Sequence, residues 1–341
     1  MGSWPSLFRE LLAGLPSDDY RVAAAIHPNI WHGHGPWQIH TWLADCVRAG
    51  LLLTSPEDSW QALLIASDIV VGDHGATTCY AAGLGGPILL AAFPDEDVAP
   101  GSAADLLGAL APRLHRHSPL RVQLDETMRD HTATRFDQVR GALTSCPGES
   151  SARLRTLFYG HLGLSEPSTP ALAPVIALTA PIPPRSDAPA VHVALSLGEN
   201  DAPSTISRYP ADVSSDGRPD SHLDDAFLVV HENHPRRDLL DNAAVILVDP
   251  LESTTALSGA LHRSPGAALA AAAAGELCVV QSRDGVLVTL TSRDVVAAAA
   301  LVHEWLLTQR PLDTLPPEST VVAGQRLITV EVVSVLTEPI A

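Results

Sequence analysis

The 341-residue sequence contains no lysine, and all 21 of its basic residues are arginine. This absence excludes a phosphate-binding loop that depends on lysine, and it also excludes a Schiff-base or nucleophilic lysine. The 39 acidic residues give a formal net charge of −18, which argues against a nucleic-acid partner because the phosphates would be repelled. An anionic small molecule would have to be held by local donors.

Cysteine and long apolar runs are also scarce. The four cysteines are widely separated and form no C-x-x-C pair, which is typical of reduced, buried thiols. No charged-then-apolar leader opens the chain, and the longest apolar candidate is the alanine-rich tract Ala267–Ala274, too short to span a membrane. We therefore expect a cytoplasmic protein without a transmembrane segment.

Proline marks the domain organisation. Seven prolines fall within residues 166–189, a density that no helix or inner strand sustains. This segment is predicted to be an extended linker between an N-terminal domain at residues 1–165 and a C-terminal domain at residues 190–341.

The N-terminal domain alternates short apolar strands with helices. Strands without polar alternation, joined by helices, are typical of a parallel sheet covered on both faces. We therefore predict an α/β fold with a doubly wound, Rossmann-like parallel sheet. The predicted strands are Tyr20–Ile26, Leu51–Leu53, Asp68–Gly72 and Pro87–Ala92.

The C-terminal domain has a different pattern, which predicts a separate, smaller α+β domain. Its Asp284-Gly285 step indicates a hairpin turn between two strands. A strong helix is predicted at Asp294–Thr308 and a long alternating strand at Arg326–Val335.

A small-residue loop follows the predicted strand that ends at Gly72. The loop and the start of the next helix read Asp73-His74-Gly75-Ala76-Thr77-Thr78. Helix starts expose unpaired backbone N–H groups beside the positive end of the helix dipole, so this loop is a predicted phosphate site. The alternative is an ordinary strand-to-helix corner in which Asp73 caps the helix. His27 follows another strand in the same way, and it is predicted to reach the same crevice with His74.

These segments resemble the C-terminal half of GT-B transferases. The strand-end His27-Pro28-Asn29, the run Ala66–Thr78 and the later Leu84–Leu90 are most similar to the CDP-glycerol glycerophosphotransferase (teichoic-acid polymerase) family. A weaker similarity links the loop to sugar-nucleotide 2-epimerases. The resemblance implies that His27 and His74 act at the donor phosphates, and that Asp73, Gly75, Ala76, Thr77 and Thr78 form the loop holding them.

The resemblance implies transfer of a sugar or polyol phosphate from a nucleotide-activated donor, with no cofactor. The family also has an N-terminal half that this chain is expected to lack, so catalysis by the chain alone stays open. The expected partners are a nucleotide-diphosphate small molecule and either a second copy or a separate N-terminal half.

Two other functions stay open. The chain could be a non-catalytic binding or scaffold protein that keeps half of a transferase fold. It could also be a metal hydrolase using His32 and His34, which are weak metal candidates because Gly33, Gly35 and Pro36 make a loop there and no fixed ligand spacing accompanies them.

Overall fold

The computed structural model describes residues 4–54, 60–171, 188–199, 202–214, 225–249 and 253–337. The chain divides into two compact units. Unit 1 comprises Met1–Pro5 and Thr54–Pro181, and unit 2 comprises Ser6–Leu53 and Ile182–Ala341. Most of the predicted linker, residues 172–187, lies outside the described residues.

The helices and strands are numbered here in chain order. The helices are α1 Leu7–Gly14, α2 Pro28–His34, α3 Pro36–Trp42, α4 Ala44–Arg48, α5 Trp60–Ala66, α6 Ala76–Leu84, α7 Ala103–Leu110, α8 Leu120–Arg129, α9 Asp137–Leu143, α10 Ser150–Leu162, α11 Arg237–Asp241, α12 Thr254–Arg263 and α13 Val295–Leu307. The strands are β1 Ala23–Ala25, β2 Leu52–Thr54, β3 Val70–Asp73, β4 Ile88–Ala92, β5 Ala190–Ser196, β6 Ser204–Pro210, β7 Phe227–His231, β8 Val245–Val248, β9 Leu269–Ala274, β10 Leu277–Ser282, β11 Val286–Thr291, β12 Glu318–Ala323 and β13 Arg326–Thr337.

Unit 2 is built on a closed barrel of nine strands in the order β10-β11-β13-β12-β6-β5-β7-β8-β9. Three neighbouring pairs, β12/β6, β7/β8 and β8/β9, are parallel, and the other six are antiparallel. Closure leaves no unpaired sheet edge in the barrel.

Helix α13 fills the barrel. It contacts β5, β9, β10 and β13, strands spread around the whole ring, and Ala297–Ala300 are fully buried. A helix that is apolar on all sides must be buried on all sides. A barrel of about eight strands has room only for side chains, so a helix inside nine strands has to be slim. Alanines on the helix and at Ala271 of β9 provide that space.

A second apolar layer covers part of the barrel from outside. Leu239 of α11 and Leu257 and Leu261 of α12 pack on the outward side chains of β7, β8 and β9. Strand β8, for example, is buried on both faces along its whole length, with Leu247 in the inner layer and Ile246 in the outer layer.

The helical segment Ser6–Leu53 also belongs to unit 2. Helix α1 packs on β6, and the backbone N–H of Ser17 donates to the Arg208 carbonyl at 2.8 Å. Its own small core surrounds Trp31, Ile39 and Cys46, and Val213 of the barrel joins that core. Strands β1 and β2 form a separate two-stranded sheet.

Unit 1 contains a short parallel pair, β3 and β4, surrounded by helices. Its core includes Cys79 and Ala82 of α6, Ile88 of β4, Leu107 of α7 and Phe136 before α9. No helix among the described residues of either unit is long and apolar enough to cross a membrane.

The prediction of a doubly wound, Rossmann-like sheet is wrong. The four predicted strands of the N-terminal domain do not join one sheet: β1 pairs with β2, and β3 pairs with β4. The largest sheet is instead the closed, mostly antiparallel barrel of unit 2. The resemblance to GT-B transferases and to the CDP-glycerol family is therefore wrong. The inference of nucleotide-sugar binding, which rested on that resemblance, is wrong with it. Apolar patterning had located strands but could not identify their partners.

Candidate functional site

The histidine-rich stretch of the sequence folds into α2 and α3 in unit 2. His27 is the N-cap of α2, and its Nδ1 accepts a hydrogen bond from the Asn29 N–H at 3.1 Å. Pro28 follows at the first helical position, where a missing N–H costs nothing. The exposed imidazole of His27 therefore has a local capping role, and only Nε2 remains to face a ligand.

The rings of this stretch pair with one another. His40 meets the buried Trp31 edge to face at 5.6 Å, and His34 meets Trp42 at 4.9 Å. His32 and His34 are both exposed on α2. Across the described ranges, no group of three or more His, Cys, Asp or Glu side chains is arranged to hold a metal ion.

Trp37 and Trp42 of α3 remain open to solvent, with 80% and 40% of their surfaces exposed. Thr41 lies one helical turn after Trp37 and donates its hydroxyl to the Trp37 carbonyl at 2.8 Å. We call Trp37, Thr41 and Trp42 the α3 surface. Large exposed aromatic side chains are unusual on a folded chain, and they are enriched where partners bind.

Ion pairs hold the segment that carries this surface. Arg9 of α1 pairs with Asp45 of α4 at 2.5 Å, and Arg48 of α4 pairs with Asp212 of the barrel at 2.9 Å. Burial alone would raise the pKa of Asp212, but the neighbouring His234 and the hydrogen bond from Arg48 lower it below its usual value. The carboxylate is therefore ionised and paired.

A second buried network centres on Arg208 of β6. Its guanidinium bonds Asp18 at 2.6 Å and Asp294, the N-cap of α13, at 2.6 Å. Asp294 in turn accepts from the Ala297 N–H at 3.0 Å. Burial opposes the charge of Arg208, but the two carboxylates outweigh it and raise the pKa of that arginine. The N-terminal segment, the barrel wall and the inner helix meet at this one guanidinium.

Sequence reasoning missed a cluster of buried polar groups beside Asp212. His234 Nε2 lies 3.4 Å from Asp212 Oδ1, an ion-pair distance, while its Nδ1 accepts from the Arg236 N–H. His192 Nε2 lies 3.3 Å from Ser214 Oγ. The Ser214 hydroxyl donates to the Ala211 carbonyl at 2.7 Å, so the imidazole is the donor to Ser214. A histidine that donates in this way does not activate the serine as a nucleophile.

No spacing in the sequence indicates this cluster. Its members come from β5, the turn after β6 and the turn after β7, and the pairing of β5 with both of these strands brings them together. Only His231-Glu232-Asn233-His234 stands out in the sequence, and it is read most simply as a polar turn before Pro235. The structure confirms a turn there, with the His234 N–H donating to the His231 carbonyl at 2.9 Å.

The predicted phosphate loop lies in unit 1, between β3 and α6. Asp73 Oδ1 accepts from the Gly75 N–H at 2.8 Å, and the buried Thr78 hydroxyl accepts from the Asp73 N–H at 3.2 Å. Thr78 also packs against Gly72, where a Cβ would lie 2.3 Å from its hydroxyl. The carboxylate of Asp73 therefore sits at the helix start, where an anionic ligand was expected.

His74, Ala76 and Thr77 of this loop are exposed. The His74 ring faces Phe93 at 6.1 Å, and the Arg113 guanidinium stacks on the same phenyl ring at 4.3 Å while pairing with Asp95. Asp73 and His74 lie together at the start of α6 in unit 1. His27, which was predicted to reach the same crevice, belongs to unit 2. The role of these residues in phosphate binding stays a prediction.

The chain has no recognisable relative in the comparisons with known proteins. No family model matches it, and neither does any curated protein or solved structure.

Proposed function

We propose that this chain is a non-catalytic binding protein, in which the barrel unit presents the α3 surface to a protein partner. The observation that carries the proposal is Trp37, which is 80% exposed on a segment tied to the barrel through Arg48–Asp212 and Asp18–Arg208. Tryptophan is the side chain most enriched at binding hot spots, and a rigid support reduces the entropy lost on association.

The barrel interior is filled, and this supports a binding site on the outside of the protein. Helix α13 occupies the space in which a barrel of larger bore holds a ligand. A depression outside the barrel, lined by Glu232, Arg237 and Arg263, has a volume of about 120 Å³. Small-molecule sites typically need about 300 Å³ or more. Its Arg263 is also paired with Glu232 at 2.5 Å.

Charge and thiol chemistry indicate the kind of partner and its compartment. The net charge of −18 disfavours nucleic acid, so we infer a protein partner. All four cysteines are free, and Cys46, Cys79 and Cys278 are buried. Free, buried thiols fit a reducing, cytoplasmic compartment.

Site-specific photo-crosslinking in the native host tests the proposal. A photoreactive amino acid at position 41, between the two tryptophans, should capture a protein, and the same probe at Leu327 of β13 should not. Trp37→Ala should abolish the crosslink at position 41. A crosslink that survives both Trp37→Ala and Trp42→Ala, or no crosslink at position 41, would show that the α3 surface is not the binding site.

A further inference from the structure

The last helix described in unit 1, α10, and the segment that follows it to Glu166 form an arm. Helix α10 contains no buried residue, although it is the longest helix of its unit that the structure describes. Leu154, Leu157, Phe158 and Leu162 are 49–69% exposed. Their spacing of three and four residues places them on one face of the helix, which we call the α10 stripe. His161 falls within the same face.

The chain after α10 folds back over a different face of the helix. Glu166 accepts from Arg155 Nε at 2.8 Å and from the Thr156 hydroxyl at 2.9 Å. Arg155 also donates to the Thr169 carbonyl. The returning segment therefore lies against Arg155 and Thr156 and leaves the α10 stripe open.

The arm is electrically neutral within a strongly acidic chain. Residues 149–166 contain two glutamates, Glu149 and Glu166, and two arginines, Arg153 and Arg155. Each arginine pairs with one of these glutamates, both at 2.8 Å. Two copies of a chain with a net charge of −18 repel each other, but the two neutral arms add nothing to that repulsion where they meet.

Three members of the α10 stripe are arranged symmetrically about Phe158. Leu154 and Leu162 lie four residues on either side of Phe158. An antiparallel pair of identical helices with a two-fold axis near Phe158 would place each Leu154 opposite the Leu162 of the other copy. A two-fold interface requires this kind of self-complementary patch. A neutral arm has no excess of basic residues to attract an anionic membrane, so a second copy fits better than a lipid surface.

We propose that the α10 stripe is a self-association surface, through which two copies of this chain pair by antiparallel packing of α10. The proposal is independent of the α3 surface, which lies in unit 2. Light scattering coupled to gel filtration should give the mass of a dimer for the full chain. Phe158→Asp should raise the dimer dissociation constant by about tenfold or more, because it buries a charge at the centre of the contact. Leu327→Asp, an equally polar change at an exposed position on β13, should leave the dimer intact.

Engineered cysteines test the antiparallel arrangement, in a Cys146→Ser background that removes the one native thiol that is not buried. Phe158→Cys should form an intermolecular disulfide with itself, because a disulfide requires Cα atoms within about 7 Å. Leu154→Cys and Leu162→Cys should not crosslink alone but should crosslink when mixed.

Three outcomes would overturn the proposal. The first is a monomer at every protein concentration, and the second is a dimer that survives Phe158→Asp. The third is a monomer that co-floats with vesicles containing phosphatidylserine, which would assign the α10 stripe to a membrane surface. Self-crosslinking of Leu154→Cys alone would overturn the antiparallel geometry.

Discussion

The two units of this chain differ in where they place their charged and apolar groups. In unit 2, one apolar layer fills the barrel and a second covers part of its wall, and Asp18 and Asp212 are almost fully buried in ion pairs. In unit 1, a two-stranded sheet supports short helices, and pairs such as Arg129–Asp130 are largely exposed. Exposed pairs add little stability, whereas breaking a buried pair is costly. We therefore expect unit 2 to be the more stable part and unit 1 to open first.

Removing the central guanidinium of unit 2 should have the largest effect. Arg208→Ala leaves Asp294 without its ion-pair partner and leaves Asp18 paired with the largely exposed Arg326, and it should lower the free energy of unfolding of unit 2 by about 3–5 kcal/mol. Urea denaturation followed by hydrogen exchange of barrel peptides measures the loss, and peptides of unit 1 should be unaffected. Arg293→Ala is the control, because its pair with Glu276 is exposed. Equal losses in the two variants would contradict the comparison.

Acid should weaken unit 2 through His303 of the inner helix. Burial lowers the pKa of His303 from 6.5 to about 4, and its ring stacks on Phe227 at 4.0 Å. Between these two pH values the unfolded chain binds a proton that the folded chain excludes, so stability falls as the pH falls from 6.5 to 4. The contribution of this histidine is about 3 kcal/mol, at about 1.4 kcal/mol for each pKa unit.

The difference between wild type and His303→Phe isolates this contribution. The variant keeps an aromatic ring beside Phe227 but cannot titrate. Its unfolding free energy, measured across the same pH range, should fall less steeply than that of wild type. Parallel curves for the two proteins would show that His303 is not the titrating group.

An alanine-to-leucine substitution in one helix of each unit should change stability less than the two changes above, and it compares how tightly the two units are packed. Ala299→Leu adds a bulky side chain to the helix inside the barrel, where overpacking should cost about 1–3 kcal/mol. Ala152→Leu places the same side chain on the exposed surface of α10, where we expect a change within about 0.5 kcal/mol. Thermal unfolding of each variant measures both. A tolerated Ala299→Leu would mean that the inner helix is loosely packed.

Local features of the sequence predicted several elements correctly. The strong helix at Asp294–Thr308 is confirmed as α13 with Asp294 as its N-cap, and the Asp284-Gly285 turn joins β10 to β11 with Gly285 at a positive φ of 83°. The alanine tract behaves differently. Ala267–Ala274 contains the best helix-forming residue, yet Leu269–Ala274 form β9, because pairing with β8 and β10 in the barrel overrides local propensity.

The candidate sites also divide into features that the local sequence indicates and contacts that only the tertiary structure forms. The sequence drew attention to His27 and to the loop after Gly72 because local spacing marks helix starts. In the structure, His27 lies at the start of α2 and the loop lies at the start of α6. It did not indicate the buried groups around Asp212, nor the bond between Asp18 and Arg208, which are 190 residues apart. Nothing in local patterning specifies contacts between such distant residues.

The amino-acid sequence alone determined the charge of this protein, its lack of lysine chemistry, the helix α13 and the Asp284-Gly285 turn. These properties depend on side-chain composition and on neighbours within a few residues. Only the tertiary structure decided that the strands close into a barrel, that α13 lies inside it, and that Trp37 remains exposed. Strand partners and burial depend on long-range packing, which the period of a hydrophobic pattern does not encode.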